Sequence, residues 1–221
     1  MRFKLLYLLH FILLIQVAAA QKRLTEATIY YDVVINTNNN SPKAADMLDG
    51  STSITYVKGA LSRSDFISAL GSQSTIFDAK AGTATNIREY GSKKFLITYN
   101  NDEWKTYNKK YDGITYKIEK EYKKIAGYNC QKATGKLSDG TVFTVYFTRE
   151  LIPSNTDFQY INKNLPGLAM QYDASRGNVK VTFTVSNVDF SVVPLAKFDL
   201  PKTGYRVMSF TEFSKENAIS R

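Results

Sequence analysis

The sequence predicts a mainly β chain built on one antiparallel sheet, and three observations carry that expectation. Apolar and polar residues alternate with period 2 in several separate runs. Clusters of Gly, Asn and Asp punctuate those runs at short intervals. The 15 Tyr and 13 Phe recur beside Val, Ile and Thr in short bursts, which is the composition of strands rather than helices.

Taken in order, the chain opens on a targeting pattern. Arg2 and Lys4 precede an apolar run from Leu5 to Val17, and Ala18, Ala19 and Ala20 follow. A positive start, a short apolar stretch and a small-residue cleavage site form a secretory signal peptide. The run is too short for a membrane span, which takes about 20 apolar residues. Residues 1–20 are therefore expected to be removed, leaving one β domain over residues 21–221 in the periplasm, or secreted, neither lipid-anchored nor transmembrane. The only histidine, His10, leaves with the leader, and the formal charge falls from +9 to +7.

The strands follow. Ile29, Tyr31, Val33 and Ile35 alternate with Tyr30, Asp32 and Val34. After the polar linker Asn36 to Asn40, Ser41 as cap, Pro42 at the first helical position and Gly50 as terminator predict a short helix over Pro42 to Leu48. Ser64 to Leu70 reads as a turn of helix or as strand. Phe95, Ile97 and Tyr99 alternate with Lys94, Leu96 and Thr98. Ile114, Tyr116 and Ile118 oppose Thr115, Lys117, Glu119, Glu121 and Lys123. Thr141 to Arg149 is apolar on both faces, which predicts a central or covered strand. Val179, Val181, Phe183 and Val185 alternate with Lys180, Thr182, Thr184 and Ser186. Asn100-Asn101-Asp102, Asp112-Gly113, Ser138-Asp139-Gly140 and Arg176-Gly177-Asn178 read as turns, with Asp139-Gly140 a hairpin signal. Roughly nine to eleven strands result. One solvated face per strand implies antiparallel pairing.

The chemistry this chain can perform is narrow. Without histidine, Ser-His-Asp and Cys-His arrangements are excluded. No acidic loop of EF-hand type is present, and Asp32, Asp139, Glu150 and Asp173 show no spacing that selects a carboxylate pair. No catalytic residue, metal or cofactor is expected. The lone Cys130 is expected to be a buried, inert thiol. Trp104 to Lys124 is rich in Lys and Tyr. It reads as a strand face whose lysines discourage edge pairing, with contact to anionic lipid head groups as the minority reading; export argues against nucleic acid.

Asn164-Leu165-Pro166-Gly167-Leu168-Ala169 resembles the hexapeptide that names the GLPGLI family of Gram-negative envelope proteins, departing at its first and last positions. Further stretches resemble that family in the same order: Lys58-Gly59 with Arg63, Glu89-Tyr90-Gly91 with Lys93-Lys94, Ile125 to Cys130, Asp139-Gly140 with Phe143 to Thr148, and Phe198 to Pro201 with Gly204-Tyr205. The family has no established activity. The resemblance implies a curved half-barrel, similar to the outer-membrane lipoprotein carriers, with short helices on an apolar concave face. The expected function is non-catalytic binding of a lipid, an acyl chain or a lipidated envelope partner, along a face carrying Phe95, Ile97, Tyr116, Ile118, Phe183 and Val185. The alternative is a structural or interaction module with a packed interior. Pro166 and Gly167 provide a rigid bend and a tight turn or close backbone approach that point Leu165 and Leu168 into the sheet.

Overall fold

The computed structural model describes residues 21–37, 50–176 and 179–219. The expected helix over Pro42 to Leu48, the leader and His10 lie outside them. The described chain is mainly β, as the alternation predicts. Its strands are β1 (Lys22–Leu24), β2 (Glu26–Thr37), β3 (Thr52–Lys58), β4 (Leu61–Ser68), β5 (Gly71–Asp78), β6 (Thr83–Tyr90), β7 (Lys93–Tyr99), β8 (Thr115–Ile125), β9 (Tyr128–Lys136), β10 (Val142–Thr148), β11 (Leu151–Pro153), β12 (Leu168–Arg176), β13 (Val179–Asp189) and β14 (Arg206–Ser209). The excess over the expected number lies in β1, β11 and β14, which are too short to show a period. Ser64 belongs to β4, so strand is the outcome where the sequence left helix or strand open.

Twelve strands form one sheet in the order β14-β7-β6-β5-β4-β3-β2-β13-β12-β10-β9-β8. All its pairs are antiparallel except β14 with β7. The parallel pair β1–β11 stands apart as a second, small sheet. The large sheet stays open, ending at β14 and β8. Register shifts between Tyr146 and Phe147, Val185 and Asn187, and Ile118 and Tyr122 mark bulges, which bend a sheet and tighten its twist. β10 lies inside the sheet, between β9 and β12, as its two apolar faces predict.

Short helices cover the inner face. They are α1 (Asn101–Asn108), the 3₁₀ turns η1 (Lys109–Tyr111) and η2 (Asp157–Asn162), and α2 (Phe210–Ile219) near the C-terminus. The stretch from Asn100 is thus a helix start and not a turn, and Trp104 to Tyr111 is helical rather than sheet. The physical cause is a reciprocal cap. The Asn100 side chain accepts from the Glu103 amide at 2.9 Å, and the Glu103 carboxylate accepts from the Asn100 amide at 2.9 Å.

The core has three parts. Leu24, Ala27, Ile29, Val57, Cys130, Leu151, Leu168 and Met170 are fully or almost fully buried together. Ala133, Val145, Phe147, Leu165 and Ala169 form a second cluster under β9, β10 and β12. Phe77, Ala84, Ile97, Tyr99 and Trp104 form a third, where α1 and α2 press on β5 to β7. On the opposite face the segment after β13 crosses back over the sheet. Its Lys197 carbonyl accepts from Arg63 Nη1 at 3.0 Å, its Val193 amide donates to Glu26 at 2.7 Å, and its Tyr205 hydroxyl donates to Glu89.

Candidate binding cleft

The middle of the inner face is polar where a packed sheet would be apolar. Thr55 on β3, Ser64 on β4, Thr75 on β5 and Asn86 on β6 stand in one cross-strand row. The Thr55 and Ser64 hydroxyls are 3.0 Å apart, Thr75 donates to Asn86 at 2.8 Å, and Asn86 Nδ2 donates to the Tyr99 hydroxyl at 2.9 Å. The chain thereby satisfies these buried groups laterally, across the strands. Burial raises the Tyr99 hydroxyl to about 12, with the neighbouring Tyr107 adding to it, so at neutral pH this row carries no charge.

Above this floor lies a cleft of about 420 Å³. Ser62, Ser64 and Thr75 form its base, and Phe77, Trp104, Tyr107, Tyr111, Phe158 and Tyr160 supply its aromatic walls. Lys110 and Asp157 line it as well. A second space of about 180 Å³ shares Ser64, Tyr111, Phe158 and Tyr160 with it and extends to Tyr31, Thr55, Asn162 and Tyr172. The first is within the usual range for small-molecule sites.

The roof is held in place by specific contacts. Trp104 lies nearly parallel to Phe77, with ring centroids 5.6 Å apart and 25° between planes, and edge-on to Tyr99 at 5.5 Å. The other side of the roof, η2, is broken at Gln159 (φ −105°, ψ 56°), which turns that side chain inward. Gln159 Nε2 donates to the carbonyls of Gly167 at 3.3 Å and Asn162 at 3.4 Å, and its Oε1 accepts from the Ala169 amide at 3.2 Å. From β8, the Tyr116 hydroxyl donates to the Ile161 carbonyl at 2.6 Å. Burial alone raises that phenol well above its ordinary value.

The hexapeptide is the footing of this roof. Leu165 is buried among Val145, Phe147 and Ala169, Pro166 is exposed, and Asn164 donates to the Ile114 carbonyl at 3.4 Å. Of the two uses expected for Gly167, close approach is the one observed. Its φ lies outside the left-handed region, and a Cβ there would sit 2.0 Å from the Thr148 carbonyl oxygen.

The six apolar residues selected by alternation are not brought together. Phe95 and Ile97 lie on β7, with Ile97 fully buried under α1 and α2. Phe183 and Val185 lie on β13, where Phe183 stacks on Tyr172 with centroids 5.0 Å apart. Tyr116 supports η2, and Ile118 is exposed on the edge strand β8. None of the six lines either space. The lining residues were missed because Ser62, Ser64 and Thr75 look like solvent-facing positions of an alternating strand. The signal that could have found Trp104 and Tyr107 was the pair Asn100 and Glu103 at capping-box spacing. Among the described residues no group of three or more His, Cys, Asp or Glu could hold a metal, and no helix is long and apolar enough to cross a membrane.

No protein-family model matches the chain, and no curated protein matches it. Solved structures do resemble it. PNGF-II in a P21 crystal form superposes with TM-score 0.50 at 12% identity, over 89% of this chain and 34% of that one. The C2 form gives 0.49 at 11% identity, over 88% and 33%. A β-barrel-like protein of the domain of unknown function DUF1849 from Brucella abortus gives 0.39 at 9% identity, over 76% and 98%. This chain spans about a third of the length of the PNGF-II chains. At such identity the P21 match concerns the arrangement of strands alone.

Proposed function

We propose that this chain is a non-catalytic binding protein of the cell envelope, and that the cleft between β4–β5 and the α1–η2 roof is its site. The observation that carries this is the 420 Å³ space itself. Beside it Tyr31, Tyr172 and Phe183 pack on one another, whereas between β4–β5 and the roof a space stays open, with Trp104 packed on Phe77 at one side and Gln159 bonded to Gly167 and Ala169 at the other. Export rests on the leader pattern of residues 1–20, and the GLPGLI-like motifs support an envelope setting. A lipid, an acyl chain or a lipidated partner is the ligand that the resemblance suggests. A packed structural module remains the rival, and the cleft is what favours binding over it.

The test is native mass spectrometry of the protein purified from its own envelope. A stoichiometric adduct is expected on the wild type and its loss on Ser62→Trp, which fills the cleft from below. N-terminal sequencing of the same sample should begin at Gln21. A bare mass for the wild type, with no ligand recovered on extraction, would leave the packed module as the better reading.

A further inference from the structure

The composition of the cleft goes further than its existence. We propose that it takes a pyranose ring of a glycan rather than an acyl chain; this rests on the cleft being a binding site. The floor is the first reason. Thr55, Ser62, Ser64 and Thr75 bring hydroxyl groups to the base of the two connected spaces. Thr55, Ser64 and Thr75 already bond across the strands, so a ligand meets their remaining lone pairs and the Ser62 hydroxyl, which a methylene chain would cover with no hydrogen bond in return. A sugar presents hydroxyls of its own, each both donor and acceptor, to such a surface.

The walls are the second reason. Tyr111 and Tyr160 line the same space, as does Tyr107, which stacks on Trp104 with centroids 5.6 Å apart. The Lys110 ammonium sits over the Tyr111 ring at 4.7 Å and that of Lys163 over Tyr160 at 4.2 Å. Tyr160 also meets Trp104 and Tyr111 with centroids 6.4 Å apart, so the rings stand as one aromatic wall rather than as separate side chains. The C–H face of a pyranose matches such a ring in size and polarity, and its rim of hydroxyls then reaches the floor. Stacking of this kind uses the same electron-rich ring face that attracts cations.

Two buried donors are the third reason. Trp104 Nε1 and Asn162 Nδ2 have no hydrogen-bond partner among the described residues, although both side chains are more than nine-tenths buried. Trp104 lines the larger space and Asn162 the smaller. Both nitrogens are sealed from the space as it stands; a side-chain shift that opened them would meet acceptors on a hydroxyl-rich ligand and none on an alkyl chain.

Trp104 is the sole tryptophan of the chain, so its fluorescence reports on the cleft directly. The experiment titrates the protein with chitohexaose, maltohexaose and cellohexaose, and separately with the fluorescent fatty acid cis-parinaric acid. At least one hexaose is expected to change Trp104 emission saturably. Tyr111→Ala and Ser64→Ala should each weaken it roughly tenfold, with thermal melts showing that both variants fold. Silence from all three sugars, or sugar binding untouched by both variants, overturns the inference. If the fatty acid alone binds and quenches Trp104, the cleft is a binding site but not for glycans. If neither sugar nor fatty acid binds, the binding reading itself falls.

Discussion

At the scale of single residues, the backbone decides several outcomes that side-chain chemistry does not. Gly167 sits 2.0 Å, at its would-be Cβ, from a carbonyl oxygen of β10, and backbone cannot step aside as a flexible side chain can. Gly167→Ala should therefore destabilise by more than the roughly 1 kcal/mol typical of point changes, and Gly167→Val by more still, as read from denaturant midpoints. The β8–β9 hairpin works the other way. Ala126 (φ 48°) is the one non-glycine with positive φ among the described residues, followed by Gly127 at φ 86°. Two such residues between paired Ile125 and Tyr128 make a primed two-residue turn. Ala126→Asn, better suited to that region, should stabilise by roughly 0.5–1 kcal/mol, and a lowered midpoint would refute this account of the turn. Cys130 is fully exposed to neither solvent nor a second thiol; it is buried, and burial pushes its thiol up to about 11. A thiol reagent at about pH 8 should label it only after denaturant is added.

At the scale of elements, α1 shows how little a helix need specify on its own. Eight residues are too few for a stable isolated helix. Its persistence depends on the Asn100–Glu103 cap and on Trp104 packed against Phe77 and Tyr99. Asn100→Ala should cost about 1 kcal/mol. Because α1 roofs the cleft, the same change should weaken ligand binding at a temperature where the sheet is intact. Circular dichroism and Trp104 fluorescence, followed on one sample, separate the two effects. η2 is the complementary case. Its central residue leaves helical geometry, and what holds it is Gln159 bonded to the hexapeptide and Tyr116 bonded to Ile161. Gln159→Leu keeps the volume but leaves the Ala169 amide and the Gly167 carbonyl without their partner, so it should loosen the roof without melting the strands.

At the scale of the whole molecule, charge is arranged to favour neutral pH. Glu26 is held below its ordinary value of 4.5 chiefly by the hydrogen bond from Lys58, Glu119 by that from Thr134 and Glu121 by that from Lys132. A carboxylate lowered in the folded state adds stability above its unfolded value, and that stability is lost as pH falls through the folded one. Melting temperature should therefore hold near neutrality and drop progressively as pH falls below about 4.5. Glu121 is exposed and Glu26 and Glu119 are half-buried, so solvent reaches all three and the drop should shrink at high salt. The division between what was legible in the sequence and what was not follows from range. Period-2 alternation in β2, β7 and β13, the Asp139-Gly140 hairpin and the buried character of Cys130 are local facts, and each survives in the folded chain. The number of short strands, the return of β13 onto β2 and the parallel edge pair β14–β7 depend on partners far along the chain, which no local pattern encodes. The cleft is the clearest instance. By itself the sequence determined a mainly β chain with one apolar face per strand. Only the tertiary structure decided that Ser62, Ser64 and Thr75, polar and solvent-facing by their pattern, stand beneath Trp104, Tyr111 and Tyr160, because α1 follows β7 and η2 precedes β12, strands that lie on either side of β4 and β5 in the sheet.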